Sequence, residues 1–126
     1  MKNRLLAALM LLFVSSGAMA EAWPNRVIRV VVPMAAGSSV DIVARVVGEK
    51  LGPMLGQTVI VDNKPGANGT IGVDNVVNSR DGHTLLLGYN GPLTVSPSLR
   101  PKPPYNVQRD LAPIILAVTQ PNVLAV

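Results

Sequence analysis

The chain of 126 residues contains no cysteine. That excludes disulfides, thiol nucleophiles and thiolate metal sites. It contains a single histidine, His83, so no multi-histidine metal site can be assembled. Placed after the Asp81-Gly82 turn, His83 reads as an exposed loop residue rather than a ligand. No Ser/His/Asp arrangement and no pair of carboxylates at acid–base spacing stands out. An enzymatic reading therefore finds little support, and no catalytic residue, metal or cofactor is expected. Aromatics make up 3% of the chain and charged residues 14%. Lys and Arg are nowhere clustered, so nucleic-acid binding has no support. Long apolar runs are missing as well. The longest, residues 5–14, falls short of the roughly 20 residues that span a bilayer.

That run nevertheless has a context. Lys2 and Arg4 precede it, Ser15, Ser16 and Gly17 break it, and Ala18-Met19-Ala20 follows the small-x-small pattern of a cleavage site. This is the layout of a secretory signal peptide, in preference to a membrane anchor, with cleavage expected after Ala20. No cysteine follows, which excludes a lipoprotein. The remaining Glu21–Val126 carries 9 basic and 7 acidic residues, a net charge of +2, where the full chain carries +4. Mild positive charge is compatible with a small anionic ligand.

The remainder alternates between two periodicities. "VIRVVV" (27–32) is a nearly continuous β-branched run, as in strands buried on both faces of a parallel sheet. Ser38 or Ser39 then marks a helix start. With Ser38 as cap, Asp41 falls at the third helical position, where negative charge suits the helix dipole. The helix should run to the low fifties, with Ile42, Val43, Val46, Val47 and Leu51 as its apolar stripe. Asp41, Arg45 and Glu49 should form the opposite, charged face. Gly52, Pro53 and Gly56 mark its end. "TVIV" (58–61) predicts a second strand, Ile71–Asn78 a second helix, and "HTLLLGY" (83–89) a third strand. "NGPLTVSPSL" is a loop with room for a helical turn, "RPKPPYN" is extended or loop, and Ile114–Val118 and "NVLAV" are further strand candidates. The order β-α-β-α-β predicts a parallel sheet with right-handed crossovers.

In such sheets ligands bind beyond the carboxyl ends of the strands. The loops there are 33–39, 63–69 and 89–98. "PMAAGSSVD" has little side-chain bulk, and its orphan amides at a helix start could take a carboxylate. An ordinary capped β–α turn is the alternative. "PGANGTIG" has G-x-x-G-x-x-G spacing. It is neither the dinucleotide fingerprint nor a Walker loop, and nucleotide binding is disfavoured. Asn68 reads as a turn residue or loop hydrogen-bonder. Asn90, Thr94 and Ser96 could complete a polar pocket or belong to a solvated connector.

The ordered run Pro33, Gly37, Ser39, Asp41, then "LGQTVIVDNKPGANG", then "DGHTLLLG", with the later "PSL" and "PNVLAV", resembles the start of the tripartite tricarboxylate transporter substrate-binding receptors, the Bug family. The resemblance covers nearly the whole chain after residue 20. It implies an α/β fold of the type II flytrap kind, a periplasmic-binding-protein-like lobe with a mostly parallel sheet. It implies a periplasmic receptor that captures a small carboxylated solute and hands it to membrane transporter subunits. Carried over, the ligand-binding positions are Ala36, Gly37, Ser38, Ser39 and Asp41 in the first loop, Asn68 in the second and Thr94 in the third. Asp41 is expected to fix the loop and helix start rather than touch an anion. The chain departs from the family pattern at Ser38 (glycine in the family), Met34 (aromatic), Ser96 (asparagine) and His83 (often tyrosine). Family members are also much longer. The expected organisation is a signal peptide over 1–20, an incomplete first lobe over 21–118, and the start of a crossover to a missing second lobe over 119–126. The competing expectation is a truncated remnant of such a receptor that binds nothing.

Overall fold

The structure is a computed structural model and describes residues 22–100, 102, 104–121 and 124. The expected signal peptide lies outside these residues, as does most of "NVLAV". Three strands form one sheet: β1 (Ile28–Val32), β2 (Val59–Asn63) and β3 (Thr84–Leu86). Their order is β2-β1-β3 and both pairings are parallel. Ile28 pairs with Val59 and Val32 with Asn63, while Arg29 to Val31 pair with Thr84 to Leu86. The ladder continues past β3, where the Leu87 N–H donates to the Val31 carbonyl at 3.0 Å. Helix α1 (Ser39–Leu55) connects β1 to β2, and α2 (Thr70–Val77) connects β2 to β3. The first connection runs from the central β1 out to β2 and the second from β2 back past β1 to β3. With the right-handed rule for parallel crossovers, these opposite directions put the two helices on opposite faces.

The β-branched run of β1 makes it the core strand. Ile28, Val31 and Val32 have no exposed surface, and Val73 of α2 joins them. Full burial of such a side chain stabilises by about 1.5–3 kcal/mol. Arg29 interrupts the apolar run without opening the sheet. Its guanidinium spans both neighbours, reaching Asp62 of β2 at 3.4 Å and the Thr84 hydroxyl of β3 at 3.2 Å.

Helix α1 packs with a face other than the one its apolar periodicity predicts. The buried positions are Asp41, Ala44, Gly48 and Gly52. Ile42, Val46 and Val47 are 55%, 57% and 46% exposed. The reason is steric. A methyl group at Gly48 would stand 3.1 Å from Val59 Cγ1, and one at Gly52 would stand 3.2 Å from the Gln57 carbonyl. The small-residue face lets the helix lie close on β2, and larger side chains cannot take that place. The helix also runs through Pro53 to Leu55. It ends at Gly56, which adopts a left-handed φ of 65° and donates its N–H to the Gly52 carbonyl.

Beyond β3 the chain forms a π-helical turn (Gly91–Val95) and a short helix α3 (Ser96–Leu99), realising the helical turn expected in this loop. A last short helix, α4 (Val107–Asp110), is capped by the Asn106 side chain. Tyr105 folds back into the core, 3% exposed, and its hydroxyl donates to the Pro92 carbonyl at 2.7 Å. Burial pushes the Tyr105 hydroxyl's pKa up. The strand expected at Ile114–Val118 does not form. Ile114, Ile115 and Leu116 are 78%, 83% and 77% exposed, because the segment pairs with no sheet edge among the described residues. His83 also departs from expectation. It is buried at 8% exposure, with Nε2 accepting from the Asn25 N–H at 3.4 Å and Nδ1 3.1 Å from the Asp81 carbonyl. These partners put the ring proton on Nδ1. Trp23 packs against the ring at 5.8 Å between centroids and donates its indole N–H to the Gly82 carbonyl.

Candidate functional site

All three strands point the same way, so the loops after β1, β2 and β3 emerge at one edge of the sheet. Gly69 is where they meet. A methyl group there would stand 3.0 Å from Tyr89 Oη, 3.0 Å from Pro92 Cγ and 3.2 Å from the Pro33 carbonyl oxygen. Those three neighbours belong to the third, third and first loops. Gly72 repeats the contact one turn along α2, where a methyl group would stand 2.7 Å from Pro33 Cβ and 2.9 Å from the Lys64 carbonyl. Gly69 and Gly72 of "PGANGTIG" therefore serve close packing between loops, while Gly66 makes room for Ile71.

The first loop is shaped by Asp41, which is 2% exposed. Ser38 is the helix cap: its hydroxyl accepts from the Asp41 N–H at 3.2 Å. The Asp41 carboxylate in turn accepts from the Gly37 N–H at 2.8 Å, from Asn63 Nδ2 at 2.9 Å and from Arg45 Nε at 3.0 Å. Asn63 also donates to the Met34 carbonyl at 3.2 Å and accepts from Arg45 at 3.1 Å. Arg45 beside it, with the Gly37 N–H and the Asn63 amide, holds the Asp41 pKa at about 2, against desolvation acting the other way. Asp41 is thus buried, whereas the sequence pattern put it on the charged outer face with Arg45 and Glu49. Asn63, at the end of β2, and Arg45 are structural members of this loop that sequence reasoning did not single out. Their visible trace was the i, i+4 spacing of Asp41 and Arg45 and the polar end of an otherwise apolar strand.

With these bonds made, the remaining donors can be located. Gly37 is committed to Asp41, and the Ser38 N–H to the Ala35 carbonyl at 3.2 Å. Among the described residues, the N–H groups of Met34, Ala35, Ala36, Ser39 and Val40 have no protein acceptor. The last two are the first positions of α1, where no intrahelical acceptor exists. Ala36, Gly37 and Ser39 are exposed and Ser38 half-buried. In the second loop, Asn68 is exposed and its Nδ2 donates to Ser96 Oγ at 3.1 Å. In the third, Thr94 is exposed, and its carbonyl accepts from the Ser98 hydroxyl. The second and third loops are joined through Asn68 and Ser96, and the first meets them through Pro33 and Gly69. The result is an open, polar surface with free amides. It suits an anion that brings its own acceptors.

Two surface hollows lie elsewhere. One of about 440 Å³ is lined by Gly48, Gly52, Pro53 and Gln57 to Val59, and one of about 290 Å³ by Arg45, Gly48, Glu49, Val59 and Val61. Both are shallow gaps between α1 and β2 left by its glycine face, and Arg45, which ties Asp41 to Asn63, lines the second. Among the described residues no cluster of three metal-ligating side chains occurs, and no helix is long and apolar enough to cross a membrane.

Comparison with known proteins places this fold in a class. Residues 43–126 match the family model "Tripartite tricarboxylate transporter family receptor". Over 126 residues the chain is 46% identical to a UPF0065 protein of Bordetella bronchiseptica, covering 99% of this chain and 38% of that protein. It is 41% identical to protein BugT of Bordetella pertussis over 97% of this chain and 39% of BugT. Among solved structures, a periplasmic transporter superposes with a TM-score of 0.66 at 41% identity, covering 68% of this chain and 29% of that one. MatC of Rhodopseudomonas palustris with bound malate gives a TM-score of 0.66 at 37% identity, covering 70% and 30%. A second R. palustris protein, solved with adipate, gives 0.65 at 28% identity, covering 69% and 29%. The chain belongs to the tripartite tricarboxylate transporter receptor family, a class of solute-binding receptors with the periplasmic-binding-protein fold. It spans about 38% of the length of the curated relatives it matches.

Proposed function

We propose that this chain is the solute-capturing part of a periplasmic receptor, holding a small carboxylated solute for a tripartite tricarboxylate-type transporter in the membrane. In this reading residues 1–20 direct export and are removed after Ala20, and residues 21–118 belong to the first lobe. The carboxylate sits at the loop edge. It accepts from the amides of Ala36 and Ser39 and the Ser39 hydroxyl, with Asn68 and Thr94 on the facing loops. Gly37, Ser38 and Asp41 act by holding the first loop in shape. The observation that carries the reading is the meeting of three loops at Gly69 beside a helix start whose first amides have no protein acceptor. The malate and adipate bound by structural neighbours are of the chemical class this surface suits. Each charge-assisted hydrogen bond to a carboxylate contributes about 1.5–3 kcal/mol.

The competing reading, a family remnant without binding, draws on the exposed Ile42, Val46, Ile114, Ile115 and Leu116. Such surface is a liability for a chain acting alone. A thermal-shift titration separates the two. Malate or adipate should raise the melting midpoint progressively with concentration, because ligand bound to the native state alone stabilises it by mass action. A midpoint indifferent to both acids across the millimolar range supports the remnant.

A further inference from the structure

The second loop has an unusual backbone. Gly66, Ala67, Asn68 and Gly69 all have positive φ, at 123°, 47°, 54° and 83°. Glycine adopts such angles freely, but Ala67 and Asn68 carry a Cβ. The left-handed conformation is unfavourable for a residue with a Cβ; Asn tolerates it better than Ala, and Ala67 has no side-chain hydrogen bond to offset it. Strain of this kind persists only where the surroundings over-determine it. Three restraints are visible. The Gly69 N–H closes the turn on the Gly66 carbonyl at 2.9 Å. Gly69 is wedged among Pro33, Tyr89 and Pro92. Asn68 Nδ2 donates to Ser96 Oγ at 3.1 Å, across 28 residues of chain.

Of these, the Asn68–Ser96 bond is the one made by side chains alone. Its two ends differ in character. Asn68 is exposed on the loop edge, while Ser96 is 8% exposed at the start of α3. The anchor is therefore buried and the anchored group faces outward. Asn68 Oδ1 lies over Gly91, where a methyl group would stand 3.3 Å from it. The absence of a side chain at Gly91 leaves room for the Asn68 amide to lie down onto the third loop. Nothing else among the described residues holds the Asn68 side chain.

We infer that Ser96 is a positioning residue: its buried hydroxyl latches Asn68 and with it the strained left-handed turn, so that the second and third loops present their donors to solute as one wall. This inference rests on the function proposed above, since the wall matters only if a solute binds there. Ser96 does not itself touch the solute.

The test compares Ser96→Ala and Ser96→Thr with wild type in the full chain, using two readouts. The first is amide hydrogen exchange at Asn68 and Gly69 without ligand. The second is affinity for malate and adipate by calorimetry. Ser96→Ala should speed exchange at both amides and weaken binding about fivefold, the scale of one neutral hydrogen bond, with far-UV circular dichroism unchanged. Ser96→Thr, which keeps the hydroxyl, should restore both. Exchange and affinity at wild-type values in Ser96→Ala would overturn the latch. So would a loss that Ser96→Thr fails to recover. If wild type binds neither acid, the proposed function fails, but the exchange readout still decides whether Ser96 holds the turn.

Discussion

Gly37 and Gly69 share a backbone conformation, with φ of 82° and 83°, but not an environment. Nothing lies within 4 Å of a methyl group placed at Gly37, whereas one at Gly69 meets Pro92, Tyr89 and Pro33 at 3.0–3.2 Å. Substituting alanine at each position makes a matched pair. Both variants bear the left-handed strain of about 1–2 kcal/mol. Only Gly69→Ala adds overpacking, typically about 1–3 kcal/mol, because two of its three neighbours are a proline ring and a backbone carbonyl that cannot swing aside. For a domain of this size each kcal/mol lowers the melting midpoint by about 4–8 °C. Gly37→Ala should therefore melt several degrees below wild type, and Gly69→Ala at least about 4 °C below Gly37→Ala. Circular dichroism melts of the three proteins in one buffer make the comparison. Equal midpoints for the two variants would mean that the three loops do not pack at Gly69, and the site as built here would come apart.

Two further outcomes follow from side-chain networks. The Asp41 carboxyl has a folded pKa of about 2 against an ordinary 3.8. A depressed acid pKa contributes stability that is complete above the ordinary value and lost as pH falls through the folded one. The melting midpoint of wild type should therefore fall between about pH 4 and pH 2, and Asp41→Asn should flatten that fall. The flattening should be partial, because Asp81, held by the His83 and Thr84 amides and the Thr84 hydroxyl, also lies at about 2. An identical acid profile in Asp41→Asn would contradict the network drawn around it. At the other end of the sheet, His83→Ala removes both the ring beneath Trp23 and the acceptor of the Asn25 N–H. Fluorescence anisotropy of this sole tryptophan should drop; an unchanged value would show that His83 does not anchor the segment before β1.

The parts of this fold that announce themselves in sequence are those where composition and geometry agree. Val27–Val32 is β-branched and becomes the central strand. Ser38 and Asp41 sit three apart and make the cap. "KPGANG" is glycine-rich and becomes a loop, while the Asp62-Asn63 pair before it stays in β2. The parts that stay hidden are those where packing overrides pattern. Apolar periodicity in α1 points to Ile42, Val46 and Val47, but the helix approaches β2 through Ala44, Gly48 and Gly52. Hydrophobicity does not mark a contact made by the lack of a side chain. Likewise Ile114–Val118 has strand composition but no edge to join, since pairing depends on a neighbour that local residues do not specify. His83 and Tyr105 are buried by contacts with residues 58 and 13 positions away, which no spacing rule reaches. At the loop edge, the first-loop, Asn68 and Thr94 positions could be chosen from the resemblance. The partition between the Gly37 amide spent on Asp41 and the amides left over is set by the folded backbone, which no spacing in the sequence encodes.

The central claim is that a carboxylate is held by the amides at the start of α1 together with the loops that meet at Gly69. A nitrogen–proton correlation spectrum of the labelled chain titrated with malate, then adipate, tests it most directly. The account predicts saturable shifts at Ala36, Ser39, Val40, Asn68 and Thr94, with Gly48, Gly52 and Val59 unmoved. Shifts confined to the hollow between α1 and β2, or none at the loop residues, would contradict it.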